Sequence, residues 1–259
     1  MPRFEPHPER RPALVTGASS GIGAATATAL AMAGHPVAIG ARRLEKVEEL
    51  AATIRAGGGE AFAQQLDVGD SDSVKSFAAA AEEALGPMEV VVSGAGDLAA
   101  DRIHELDSEG FLAQVQVHLI GAHRLVSHLV PGMVARQRGD VVFISSDVVR
   151  APRTRMGAYV AAKNGVEGMA RAMQMELEGT GVRASIVRPG PTMTGMGMGW
   201  DAETTGEVLE EWVKWGMARH PYFLRPSDVA SAVAAVISAP RGAHLSLVEI
   251  QPEAPVEKP

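Results

Sequence analysis

Short apolar runs alternate with helix-forming stretches along nearly the whole chain, and the rhythm begins after residue 11. Ala13–Thr16 is an apolar run that ends in glycines, the pattern of a buried strand. Ala24–Ala33 is rich in helix formers and is stopped by Gly34 and Pro36. Val37–Ile39 reads as a strand, Leu44–Arg55 as an amphipathic helix closed by glycines, and Ala61–Leu66 as a third strand. Ser71–Leu85 is a helix with a serine at its start and Gly86-Pro87 at its end, and Met88–Val92 is a fourth strand. A long helical stretch, Ser108–Arg136, leads to a strand at Asp140–Ser145. Met156–Glu178 is the next helix and Val182–Val187 the sixth strand. Pro189–Arg225 breaks the rhythm with Gly, Met and Trp before a helix at Pro226–Ser238 and a last strand at Leu245–Ile250.

Strands that are apolar throughout and alternate with helices predict an α/β fold, a parallel sheet covered on both faces. With no internal repeat or linker, residues 12–259 read as one domain, and the proline-rich, charged residues 1–11 as a flexible arm.

Composition narrows the function. The net charge of -7 and the scarcity of aromatics argue against nucleic acid as a partner. The absence of cysteine excludes disulfides and thiolate metal sites, and suits a reducing, cytoplasmic setting. Pro12–Ala41 carries no Asp, Glu, Lys or Arg, yet its glycines and Pro36 interrupt it too often for a membrane span, which needs about 20 apolar residues. His104, His123 and His128 lack the spacing and accompanying carboxylates of a metal site, so no metal is expected.

Between the first strand and the first helix lies T-G-A-S-S-G-I-G, Thr16 to Gly23. Glycine lets the backbone turn sharply and approach a pyrophosphate, while the free amides of a helix N-terminus face its charge. The spacing resembles the nucleotide motif of the short-chain dehydrogenase/reductase family, and the resemblance runs from about Pro12 to the last strand. It implies a doubly wound, seven-stranded Rossmann fold and a dinucleotide held by Gly17, Ser19, Ser20, Gly21, Ile22 and Gly23.

Gly40 and Ala41 offer no carboxylate after the second strand, and Arg42 and Arg43 follow at once. A carboxylate there would bind the ribose hydroxyl of NAD(H), whereas a guanidinium accommodates a 2′-phosphate, so NADP(H) is expected ahead of NAD(H). Asp67-Val68 matches the family's adenine contact, though an Asp before Gly69 also suits a turn. Gly94, Ala95 and Gly96 follow Ser93 where the family usually has Asn-Asn-Ala-Gly, so the amide that ties neighbouring strands is missing.

Tyr159 and Lys163 share one face of a helix at i, i+4. A phenol is a poor base at neutral pH, and a nearby ammonium together with an oxidised nicotinamide is expected to lower its pKa. Tyr159 would then exchange the alcohol proton, and Lys163 would also hold the ribose. Ser146 lies 13 residues before Tyr159, the family's usual spacing, and would hold the substrate oxygen. Ser145 is the rival. Pro189, Gly190, Thr192 and Thr194 resemble the turn that fixes the nicotinamide carboxamide. His118 stands in His-Leu-Ile-Gly where the family has a catalytic Asn; it either joins a proton relay or packs in a helix.

The resemblance makes residues 191–225 a substrate lid. They carry Met193, Met196, Met198, Trp200, Trp212, Trp215, Met217, Tyr222 and Phe223, which suits an apolar alcohol or ketone. A small-residue face (Ala158, Ala161, Ala162, Gly165, Gly168, Ala172) suggests a homo-oligomer, a homotetramer or dimer. A cofactor-binding protein without turnover and a non-redox enzyme, an epimerase or dehydratase, are the alternatives to an oxidoreductase.

Overall fold

The structure is a computed structural model describing residues 4–196, 200–216 and 220–256. Its centre is a seven-stranded, wholly parallel sheet of order β3-β2-β1-β4-β5-β6-β7. The strands are β1 (Ala13–Thr16), β2 (Val37–Ala41), β3 (Ala61–Gln65), β4 (Val90–Ser93), β5 (Gly139–Ile144), β6 (Val182–Pro189) and β7 (Leu247–Ile250). β1, β2 and β5 are buried along their whole length, as continuous apolar runs demand when helices cover both faces.

One apolar cluster joins Leu14, Phe77, Phe143 and Met133 to the helices α3 (Ser71–Leu85), α5 (Gly121–Ala135) and α6 (Gly157–Glu176). The other joins Val15, Leu30 and Val233 to α1 (Gly21–Met32), α2 (Leu44–Ala56) and α8 (Pro226–Ser238). The chain order reverses between β1 and β4, which opens a crevice at the carboxyl ends of the strands, the usual ligand position in such sheets.

Four local features differ from the sequence expectation. First, α1 begins at Gly21, not Ala24, and Gly23 is a helical residue packed tightly on the turn before it. A Cβ on Gly23 would collide with the Gly17 carbonyl. Second, the long helix is not uniform. α4 (Ser108–Val115) passes into α5 through a π turn at Gln116–Ile120 that carries His118. Third, the lid contains a helix, α7 (Ala202–Lys214), where the sequence pattern predicts irregular chain. Asp201 caps it by accepting from the Thr204 amide at 2.7 Å, and Val208 and Trp212 face inward one turn apart. Gly206 and paired threonines hide it from propensity.

Fourth, the N-terminal arm packs on the body, with the Phe4 ring against Gly242 and His7 Nε2 3.0 Å from the Ala239 carbonyl. Arg11 is buried, pairs with Asp140 and donates to the Ile237 carbonyl at 2.8 Å, while Arg183 reaches the same carboxylate at 2.7 Å. The small-residue face of α6 is also split. Ala158 and Ala162 are buried within the chain and Gly165 packs on Leu119, which leaves Ala161, Gly168 and Ala172 exposed.

Candidate active site

A cavity of about 840 Å³ occupies the crevice. All of the expected cofactor residues line it: the glycine turn, Arg42 and Arg43, Asp67-Val68, Gly94 to Gly96, and Pro189, Gly190, Thr192 and Thr194. Ser146, Tyr159 and Lys163 line its other half.

The glycine turn is shaped for a bulky anion. Gly17 has φ +73, and a Cβ on it would lie 2.8 Å from the backbone of Gly94 and Ala95. Ser20 precedes α1 in extended conformation and its side chain caps no amide, so the helix N-terminus opens toward the cavity. Arg43 donates to Ser19 Oγ at 2.8 Å and to Ser20 Oγ at 3.0 Å, fixing a guanidinium beside the turn. Arg42, well exposed, reaches Asp97 at 3.7 Å. Cationic forks, a glycine cradle and no acid at the end of β2 fit a dinucleotide carrying a 2′-phosphate.

A side chain of β1 ties this strand to the turn after β4. Thr16, fully buried at the end of β1, accepts from the amides of Gly94 and Ala95 at 3.1 and 3.2 Å. Nothing in the sequence marks Thr16 for this beyond its place in the glycine motif. Asp67 uses Oδ1 to accept from the Gly69 amide at 2.8 Å, so it makes the turn and lines the cavity together. Thr194 packs 3.2 Å from the position of a Cβ on Gly21, bringing the turn after β6 against the glycine turn.

The choice between the two serines follows from geometry. Ser145 Oγ donates to buried Glu167 at 2.7 Å, and that carboxylate is also forked by Arg188 at 2.7 and 2.8 Å. Ser146 Oγ lies 3.4 Å from the Val148 amide and 3.5 Å from Asp147, interacts with the Tyr159 phenol, and lines the cavity.

Tyr159 and Lys163 are both buried, with the Lys163 ammonium 5.6 Å from the phenol ring and donating to the Ile144 carbonyl at 2.7 Å. Burial pushes Lys163 down to about 8. Burial also pushes Tyr159 up to about 12, with Asp147 adding to the rise and hydrogen bonding from Ser146 and the Arg153 charge opposing it. Among the chain's own groups, desolvation of a phenolate outweighs the nearby charges. A neutral phenol is a proton donor.

His118 lies behind this pair, outside the cavity wall, with its ring edge-on to Tyr159 at 5.0 Å. Nε2 is 2.7 Å from the Asp97 carbonyl, which can only accept, so Nε2 carries the proton. Nδ1 is then an acceptor, buried with no partner among the described residues. Burial and the Lys163 charge push His118 down to about 3, against the Asp97 carbonyl. The ring is neutral at physiological pH.

Of the lid residues, Met193, Met196, Trp200, Trp212 and Phe223 line the cavity, joined by Val208 and Leu209 of α7. Trp215 and Tyr222 do not line it and are largely exposed, and Met198 and Met217 lie outside the described residues. His104, His123 and His128 are exposed. Asp147, Arg153 and Met156 also line the cavity without having stood out in the sequence, where the two charges resemble ordinary loop residues.

A family model described as short chain dehydrogenase matches residues 11–205. Glycine betaine reductase ATRR of Emericella nidulans is 37% identical over 93% of this chain, which spans 18% of that protein's length. A 2,3-dihydro-2,3-dihydroxybenzoate dehydrogenase of Bacillus subtilis is 32% identical over 92% of this chain and 93% of its own. Among solved structures, a variant of actinorhodin polyketide ketoreductase with NADPH superimposes with a TM-score of 0.84 and 30% identity, covering 93% of this chain and 96% of that one.

Proposed function

Because the chain belongs to the short-chain dehydrogenase/reductase family, we propose that it is an NADP(H)-dependent oxidoreductase interconverting an apolar ketone and its alcohol. The observation that carries this reading is the convergence of Ser146, Tyr159 and Lys163 on the cavity that the glycine turn and Arg43 open at its other end. When bound, NADP(H) supplies the hydride or takes it back. Ser146 holds the substrate oxygen. Tyr159, neutral at physiological pH, donates its proton to that oxygen during reduction and recovers it in the reverse direction. Lys163 has further N–H donors beyond the one used on Ile144, and these hold the ribose hydroxyls. Arg42 and Arg43 hold the 2′-phosphate, while Met193, Met196, Trp200 and Phe223 shape the apolar end.

His118 takes the place of the family's Asn in the proton path as a neutral ring, with Nδ1 as the acceptor. His118→Ala with an unchanged rate and pH profile would exclude it from that path.

The deciding experiment is oxidation of NADPH and of NADH against a panel of apolar ketones, with Tyr159→Phe as control. Turnover with NADPH favoured, and lost by about 100-fold or more in Tyr159→Phe, is expected. Tight cofactor binding without turnover would assign the chain a non-catalytic role. Substrate conversion with no net cofactor oxidation would assign it a non-redox reaction.

A further inference from the structure

The turn that carries Ser146 also carries a pair of charges to which hydride transfer assigns no role. Asp147 follows the serine directly, and Arg153 lies further along the same loop. Their side chains are only 10% and 8% exposed, and both line the cavity. Arg153 forks onto the carboxylate, Nη1 donating to Oδ1 at 2.8 Å and Nη2 to Oδ2 at 2.6 Å. A planar fork of this kind is stronger and more directional than a single contact. The same guanidinium lies 5.4 Å from the ring centroid of Trp212 on α7, whose Nε1 donates to the Thr154 carbonyl at 3.4 Å. One arginine thus bridges the serine turn and the lid helix.

Ser146 sits between competing demands. Its hydroxyl is 3.5 Å from Asp147 Oδ1, already at the edge of a hydrogen bond. A buried carboxylate without a cation draws in any donor within reach, and the adjacent one is this serine.

We propose that Arg153 is a positioning residue for proton transfer: it occupies the Asp147 carboxylate, leaves the Ser146 hydroxyl to the substrate oxygen, and cancels a negative charge beside Tyr159. Among the described residues, four charged or titratable groups surround the phenol. Lys163 faces it from α6, His118 from the π turn, and Asp147 and Arg153 from the loop after β5. His118 is held neutral and Lys163 is fixed on Ile144, so the balance within the Asp147–Arg153 pair is the adjustable part. Losing Arg153 leaves an unbalanced anion near the phenol and moves its ionisation to higher pH. Losing the Asp147 charge leaves an unbalanced cation and moves it lower.

The kinetic arm of the test rests on the oxidoreductase reading; the spectroscopic arm does not. The chain has only two tyrosines, so in a Tyr222→Phe background the tyrosinate absorbance of the full-length protein with saturating NADP⁺ reports Tyr159 alone. Relative to that background, Arg153→Gln is expected to raise the titration midpoint, and Asp147→Asn to lower it, each by about one pH unit. The double variant is expected to return toward the starting value. In alcohol oxidation, the alkaline-rising limb of kcat/KM should follow the same three displacements. Arg153→Gln should also lose about tenfold or more in kcat near neutral pH, with partial recovery in the double variant. Where Arg153→Gln does not fold, Asp147→Asn, which keeps the shape of the side chain, carries the prediction alone. Midpoints that stay together in all variants, or equal losses in the single and double variants with no displaced limb, would reduce the pair to a brace for the lid and overturn the proposal. Displaced midpoints with no turnover by any variant or the parent would uphold it while refuting the oxidoreductase reading.

Discussion

Replacing His118 by Asn, the residue the family resemblance implies at this position, is expected to make the protein more tolerant of acid. In the fold, His118 is pushed down to about 3, whereas the unfolded chain takes up its proton near 6.5. The folded pKa is the depressed one, so the unfolded state binds more protons across that window. Stability is therefore full above about 6.5 and is lost as pH falls toward 3, at about 1.4 kcal/mol per pH unit once the unfolded histidine is protonated. Integrated between these two values, the contribution lost on going from about pH 7.5 to about pH 5 is about 2 kcal/mol. Asparagine does not titrate and removes this term. Urea unfolding of both proteins across that range, analysed by linear extrapolation, measures the difference. The variant should gain on the parent by about 2 kcal/mol over the interval, whatever the offset between them at neutral pH. Parallel stability curves would show that the ring is not held neutral and would remove the basis for its assignment as a fixed acceptor.

Other substitutions probe the remaining supports. Thr16→Val strips the acceptor from the Gly94 and Ala95 amides; a loss of about 1–2 kcal/mol in chemical denaturation is expected, with weaker NADPH binding by fluorescence titration. Arg43→Ala is expected to weaken NADPH by about tenfold and leave NADH nearly unchanged, as read by isothermal titration calorimetry. Glu167→Ala, which leaves Arg188 with Glu249 as its remaining carboxylate partner and frees Ser145, should cost about 1–3 kcal/mol in thermal or urea unfolding.

The motifs of the candidate site were legible because each is local. A glycine turn must follow its strand directly, and Tyr159 and Lys163 need only one helical turn between them. The parallel sheet was legible for a related reason, since strands buried on both faces are apolar without alternation. Helix α7 was not, because its cap at Asp201 and its two inward residues are a weak signal beside Gly206 and the threonines. Nor was the π turn, since a single wide turn leaves the apolar spacing of the surrounding helix almost unchanged.

What the sequence determined by itself was the family, the sheet and the placing of Tyr159 and Lys163 on one helix face, all carried by neighbours in the chain. Tertiary structure decided what surrounds that pair. It tied Ser145 to Glu167 and left Ser146 on the cavity wall, turned Thr16 onto the Gly94 and Ala95 amides, and brought Arg153 between Asp147 and Trp212. It also made burial, not the nearby ammonium, the dominant influence on Tyr159 and His118. The reason is physical: desolvation depends on everything packed around a group, and most of that arrives from distant parts of the chain.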